Sequence, residues 1–248
     1  MKVNTVKILG IDFFNGKVNQ VVQVLKNGGL LVVPSAPGLI TIKKDLSYYS
    51  SLLSADVVIA DSGYMSLIWN ISNKQKIHRI SGLEFLVEFF ADKEVQANSN
   101  FVLADPTAKD AEANINYLNS IGFSLDKAAS YLAPMYDTSN VVDPKLLAMI
   151  EERKPSYVLL NIGGGIQEKL GAYLKKNLSY KPAIICTGAA IAFLTGRQAS
   201  IPTWGDRLFV GWLFRCIEKP KLYIPRYFKA FKLVVLMMQY GKRAPVTV

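Results

Sequence analysis

The stretch Tyr157-Val158-Leu159-Leu160-Asn161-Ile162-Gly163-Gly164-Gly165-Ile166-Gln167-Glu168 decides how the rest of the chain is read. Its first half is apolar without alternation, which suits a strand covered on both faces, as in a parallel sheet. Its second half is a glycine turn that opens a helix-like segment, Gln167 to Asn177. Three glycines between a buried strand and a helix let backbone N–H groups approach a phosphate at the helix N-terminus. The turn is neither the full dinucleotide fingerprint nor a phosphate-binding loop with Lys-Ser/Thr. Taken alone, Gly163, Gly164 and Gly165 are equally well explained as a plain connection. Gln167 falls in the first helical turn, where its amide faces a ligand or water.

Working outward, similar apolar runs recur at Val6 to Phe14, Gly29 to Pro34, Asp56 to Ala60, Phe101 to Ala104 and Pro182 to Thr187. Between them lie helix-like segments: Lys17 to Asn27, Ile40 to Leu53, Gly82 to Phe90, Thr107 to Ile121 and Pro144 to Arg153. Thr107 and Asp143 are N-cap candidates, the latter with Pro144 at the first helical position. The alternation predicts an α/β fold with a mostly parallel sheet and helices on both faces.

Half of the 248 residues are hydrophobic and 19% are charged, which excludes a disordered chain. The net charge of +10 calls for an anionic partner: nucleic acid, an anionic membrane face or a phosphorylated substrate. Cys186 and Cys216 cannot make a disulfide framework or a zinc site, and one histidine, His78, excludes a His-rich metal centre. Met1 to Gly10 shows no secretory signal, so a reducing cytoplasmic location is the default expectation. No run reaches the ~18 uninterrupted apolar residues of a membrane-spanning helix. The nearest, Ala183 to Gly196, is broken by Thr187, Gly188 and Thr195 and reads as a buried strand and turn.

The C-terminal region is different. Nine basic residues lie between Arg207 and Arg243 against one acid, Glu218, so this window carries +8 of the chain's +10. On a helical wheel Arg226, Lys229 and Lys232 fall on one side; Tyr227, Phe231, Val234, Val235 and Met238 fall on the other. This is the pattern of a basic amphipathic helix in a membrane interface. An ordinary surface helix with its lysines in solvent is the plainer alternative.

Ligands of open α/β sheets bind outside the carboxyl ends of the strands, so polar residues there come first. Asp61 closes the run Asp56 to Ala60 and precedes Ser62-Gly63. As a chemical group it is a general base for a hydroxyl nucleophile; as a structural one it caps the Tyr64 to Asn70 segment, which composition alone favours. Ser35, in Pro34-Ser35-Ala36-Pro37-Gly38, offers a hydroxyl at a pocket lip or simply leaves a strand. Arg79 pairs with a phosphate or sits in solvent; His78 is structural. The chain has no Asp-x-Asp, the usual carboxylate grip on a nucleotide-bound metal, and no Gly-x-Ser-x-Gly elbow. A metal-free reaction, with cationic side chains and backbone amides stabilising a phosphate leaving group, fits better.

As an ordered series these motifs resemble the WecG/TagA/CpsF family of bacterial glycosyltransferases, from about Val6 to Phe228. The likeness rests on Val33-Pro34-Ser35, Ala55-Asp56 through Ala60-Asp61-Ser62-Gly63, Arg79-Ile80-Ser81-Gly82 and Gly163 to Glu168. It continues through Gly188, Phe193-Leu194-Thr195-Gly196, Pro202-x-Trp204, Trp212-Leu213-Phe214-Arg215, Glu218-x-Pro220 and Arg226-Tyr227. The resemblance implies a Rossmann-like catalytic core, residues 1–196, and a membrane-associating appendage, residues 197–248. It implies inverting, metal-independent transfer from a UDP-sugar to a polyprenyl-diphosphate-linked saccharide at the inner membrane face, with no cofactor. Asp61 falls at the position of its candidate base, which replaces the capping preference. Ser35, Arg79, the glycine turn and Gln167 fall in its donor pocket. Arg215, Lys221, Arg226 and Lys229 fall where diphosphate or membrane is engaged.

Several positions depart from the family pattern. Thr-x-Asn is Ser35-x-Pro37, Phe-Asp-Phe-Leu-x-Gly is Ile191-Ala192-Phe193-Leu194-Thr195-Gly196, Arg-Ala-Pro is Ser200-Ile201-Pro202, and the acid before Trp212 is Gly211. These changes fall near the donor and acceptor surfaces. They support the alternative of a catalytically silent nucleotide-sugar-binding or scaffold protein of a polysaccharide assembly complex. A nucleic-acid partner is not expected, because no recognition motif is present; a homo-oligomer is allowed by the sequence.

Overall fold

The computed structural model describes residues 4–197 and 231–247. Within them the chain runs β1 (Thr5–Ile8), β2 (Ile11–Phe14), α1 (Val18–Leu25), β3 (Gly29–Val32), α2 (Ala36–Leu39), α3 (Leu46–Ser54), β4 (Val57–Val58), α4 (Gly63–Ser72), α5 (Gly82–Ala91) and α6 (Lys93–Ala97). It continues β5 (Phe101–Asp105), α7 (Ala108–Ser120), β6 (Ser130–Leu132), α8 (Pro144–Arg153), β7 (Tyr157–Leu160), α9 (Ile166–Asn177), β8 (Ala183–Cys186) and α10 (Ile191–Leu194). A last helix, α11, spans 231–240. The eight strands form one sheet in the order β1-β2-β4-β3-β8-β7-β5-β6. All neighbours pair in parallel except β1 with β2. The expected α/β architecture is therefore present.

The strand side chains divide by alternation between two apolar layers. Val32, Val58, Ala104, Leu160 and Cys186 face one core, which α3, α4, α8, α9 and α11 cover. Leu31, Val57, Leu103, Leu159 and Ile185 face the other, beneath α1, α5 and α7. Since both faces are covered, the strands read as continuous apolar runs.

Two expectations are corrected. Val6 to Phe14 is a hairpin, not one strand: Ile8 pairs with Ile11 across a two-residue turn in which Leu9 and Gly10 both have positive φ, 53° and 80°. This mirror-image turn matches the twist of paired strands, and glycine at its second position is free of strain. Leu9 is buried and pinned by its neighbours: its N–H donates to the Gly241 carbonyl at 2.8 Å, and its carbonyl accepts from the Tyr49 hydroxyl at 2.8 Å. The helix expected over Ile40 to Leu53 begins only at Leu46, because Asp45 caps it by accepting from Tyr48 N–H. The caps Thr107 and Asp143 do cap α7 and α8, with Pro144 in the first turn of α8. Ala183 to Gly196 is a buried strand followed by short helical turns, and among the described residues no helix is long and apolar enough to cross a membrane.

Candidate active site

Seven parallel strands deliver their carboxyl ends to one edge of the sheet, where Ser35, Asp61 and the Gly163 to Gly165 turn follow β3, β4 and β7. β4 is followed by Asp61, which is half-buried. The cap of α4 is not Asp61 but Ser62, whose Oγ accepts from Met65 N–H at 3.2 Å. Asp61 turns instead to α5: its Oδ1 accepts from the Gly82 N–H at 3.0 Å. The positive end of the α5 dipole thus faces this carboxylate. Arg79 Nε donates to the Asp61 backbone carbonyl at 2.7 Å. Ser81 and Glu84 complete the α5 terminus as a reciprocal capping box. Ser35, exposed at the end of β3, caps α2 by accepting from Gly38 N–H at 3.3 Å.

From Gly82 the contacts run on to the glycine turn. A β-carbon placed on Gly82 would lie 3.6 Å from Val33 Cγ1 and Ala190 Cβ and 3.7 Å from Thr187 Cβ. One placed on Gly188 would lie 3.4 Å from Gln167 Nε2. Gln167 Nε2 donates to Glu168 Oε1 at 3.2 Å, and Glu168 Oε2 accepts from Gly165 N–H at 2.6 Å. Glu168 is buried, and that burial pushes its carboxyl above the usual range. Gly165 enters α9 with φ of 90°. Among the described residues, a β-carbon on Gly163, Gly164 or Gly165 would meet no atom within 4 Å, so in that part of the molecule the turn borders open space. Lys169, one turn further, is not available to a phosphate there: it donates to Asp45 at 2.7 Å and to the Thr138 carbonyl at 2.8 Å.

The edge also contains residues that sequence reasoning did not single out. Asp105, fully buried at the end of β5, accepts from Asn114 Nδ2 at 2.7 Å and Asn161 Nδ2 at 2.8 Å, both on Oδ1. Loss of water pushes its carboxyl up to about 6. Among the described residues, five buried side-chain polar atoms lack a hydrogen-bond partner, and four of them belong to this edge: Asp105 Oδ2, Asn161 Oδ1, Gln167 Oε1 and Thr187 Oγ1. Each such atom costs about 1–3 kcal/mol unless something pairs with it. The rule that picked Asp61, a carboxylate closing an apolar strand, applies equally to Asp105 after Ala104.

Among the described residues, no group of three or more His, Cys, Asp or Glu side chains is placed to hold a metal ion. Arg215, Lys221, Arg226 and Lys229 lie outside the described residues.

A doubly covered parallel sheet with its polar groups collected at the carboxyl edge defines an α/β protein built to bind a ligand at that edge. The family model described as "Glycosyl transferase WecG/TagA/CpsF family" matches residues 6–246, and the chain belongs to that family of glycosyltransferases of cell-surface polysaccharide synthesis. No curated relative matches it. Membership implies a sugar donor and a lipid-linked acceptor.

Proposed function

We propose that the protein is an inverting glycosyltransferase that moves a sugar from a UDP-sugar to a polyprenyl-diphosphate-linked saccharide, without a required metal, at the inner face of the bacterial plasma membrane. The observation that carries this reading is the meeting of three features at one sheet edge. These are the Asp61 carboxylate held by Gly82 N–H, the glycine turn bordering open space, and the unpaired acceptors of Asp105, Asn161 and Gln167. Ionised carboxylate and amide carbonyl oxygens only accept hydrogen bonds, and these lie buried behind the edge, so they mark a polar need for donors there without themselves facing the open space beside the turn.

In the proposed step Asp61 takes the proton of the acceptor hydroxyl as that oxygen attacks the anomeric carbon. The bond from this carbon to the phosphate oxygen breaks on the opposite side, UDP leaves, and the configuration inverts. Arg79, the backbone amides of Gly163 to Gly165 and Gln167 hold the donor, with Ser35 at the pocket lip. Residues 1–196 act as the catalytic core and residues 197–248 as the appendage. There Arg215, Lys221, Arg226 and Lys229 hold diphosphate and the anionic surface. α11 supports the lipid reading: Leu233 and Met237 are buried, while Phe231, Val235 and Met238 are exposed.

The test is a thermal-shift series with UDP, GDP and UDP-sugars, followed by UDP release with lipid-linked acceptor. A UDP-specific rise in melting temperature and acceptor-dependent UDP release are expected. Binding without release identifies the silent scaffold instead.

A further inference from the structure

α4 starts two residues after Asp61 and buries Met65, Ser66 and Trp69. On its other side Leu67 is 44% and Ile71 73% exposed, a stripe four residues apart. α11 repeats the arrangement, with Phe231, Val235 and Met238 exposed and Leu233 and Met237 buried. Met65, Trp69, Leu233 and Met237 belong to one core on one face of the sheet, so both exposed stripes lie on that side of the molecule. The segments also touch just beyond the helices, where Lys242 Nζ donates to Gln75 Oε1 at 2.8 Å.

Exposed cations border the stripes: Lys74 and Lys76 after α4, Lys232 on α11, and Lys242 and Arg243 after it. No acid occurs in residues 62–83 or 219–248. Val87, an exposed apolar residue of α5 on the other face, stands instead between Glu84 and Glu88. A second copy of the chain seated on the stripes would bring like-charged rims together. An anionic lipid surface neutralises the same rim.

We propose that α4 is a second membrane-contacting element, with Leu67 and Ile71 entering the headgroup boundary of an anionic bilayer beside Phe231, Val235 and Met238. This inference rests on the membrane-face reading above and extends it from the appendage to the catalytic core. Anchored through α4, Asp61 is held within one short helix, roughly 15 Å long, of the lipid surface from which the acceptor presents its hydroxyl.

The test is co-sedimentation of the full chain with phosphatidylglycerol/phosphatidylcholine vesicles and with phosphatidylcholine alone. The variants are L67E/I71E, K74E/K76E and the opposite-face control V87E, each checked by thermal melt. Wild type and V87E are expected to bind the anionic vesicles equally, and L67E/I71E roughly tenfold more weakly. K74E/K76E is expected to weaken binding in a salt-dependent way. If wild type does not bind, the membrane-face reading falls and takes this inference with it. If wild type binds and both α4-side variants bind as well, only the role of α4 falls. Equal loss in V87E also overturns it. So does a self-associated wild type that L67E/I71E renders monomeric while vesicle binding is retained, which assigns the stripe to a second copy.

Discussion

The Asp61 carboxylate accepts a 3.0 Å hydrogen bond from the backbone N–H of Gly82, so the candidate base is fixed by the first residue of a helix twenty-one positions away. Sequence neighbours would have made it a local cap, but Ser62 performs that task. Asp61→Asn keeps an acceptor oxygen for Gly82 and should fold normally. Turnover should fall by ~10²–10⁴, the usual value of general-base help, with UDP binding retained. Steady-state UDP release beside a thermal-shift titration checks both halves. Full activity in the variant sinks the assignment.

The glycine turn separates binding from stability. Gly163 and Gly164 have room for a β-carbon, and neither has a positive φ. Gly163→Ala and Gly164→Ala should therefore leave the melting temperature within about 1–2 °C, since nothing is overpacked. UDP-sugar affinity should drop several-fold, because the added methyl occupies space the phosphates need. Isothermal titration of each variant decides. Unchanged affinity would move the phosphates elsewhere on the edge.

Asp105 makes stability depend on pH with a defined sign. Its folded carboxyl is pushed from 3.8 up to about 6, so between these values the folded state keeps a proton that the unfolded state has lost. Its contribution accordingly falls as pH rises through that interval. Above it, the penalty of ionising in a buried site is fully present, on the order of 3 kcal/mol. Asp105→Asn abolishes this dependence. Urea melts at pH 4.5 and pH 7.5 should show wild type losing stability relative to the variant at the higher pH. Parallel behaviour of the two proteins would mean that Asp105 stays solvated.

Asp143 offers a prediction independent of catalysis. It caps α8 through Leu146 N–H at 2.9 Å and accepts from the hydroxyls of Tyr131 at 2.8 Å and Tyr136 at 2.7 Å. Burial of the phenols, and after it the hydrogen-bonded Asp143 carboxylate, holds both above their usual range. Asp143→Ala removes the cap and strands two hydroxyls, at a cost of about 2–4 kcal/mol. Asp143→Asn, which keeps an acceptor, should cost less. Equilibrium denaturation of both variants tests the order.

The unbroken apolar runs by themselves determined the sheet, since a strand covered on both faces needs no alternation, and they placed Asp61, Ser35 and the glycine turn at strand ends. The capping signals at Thr107 and Asp143 were equally local and therefore readable. What only the tertiary structure decided were relations at long range. Val6 to Phe14 folds back on itself because Gly241 and Tyr49 hold Leu9 in a left-handed conformation. Asp105 and Asn161, fifty-six residues apart, meet because β5 and β7 are neighbours in the sheet. Asp105 closes its strand as Asp61 does, so its place was readable; the pairing of distant strands, not the local pattern, joins it to Asn161 and closes both off from water, and this is why its raised carboxyl could not be read along the chain.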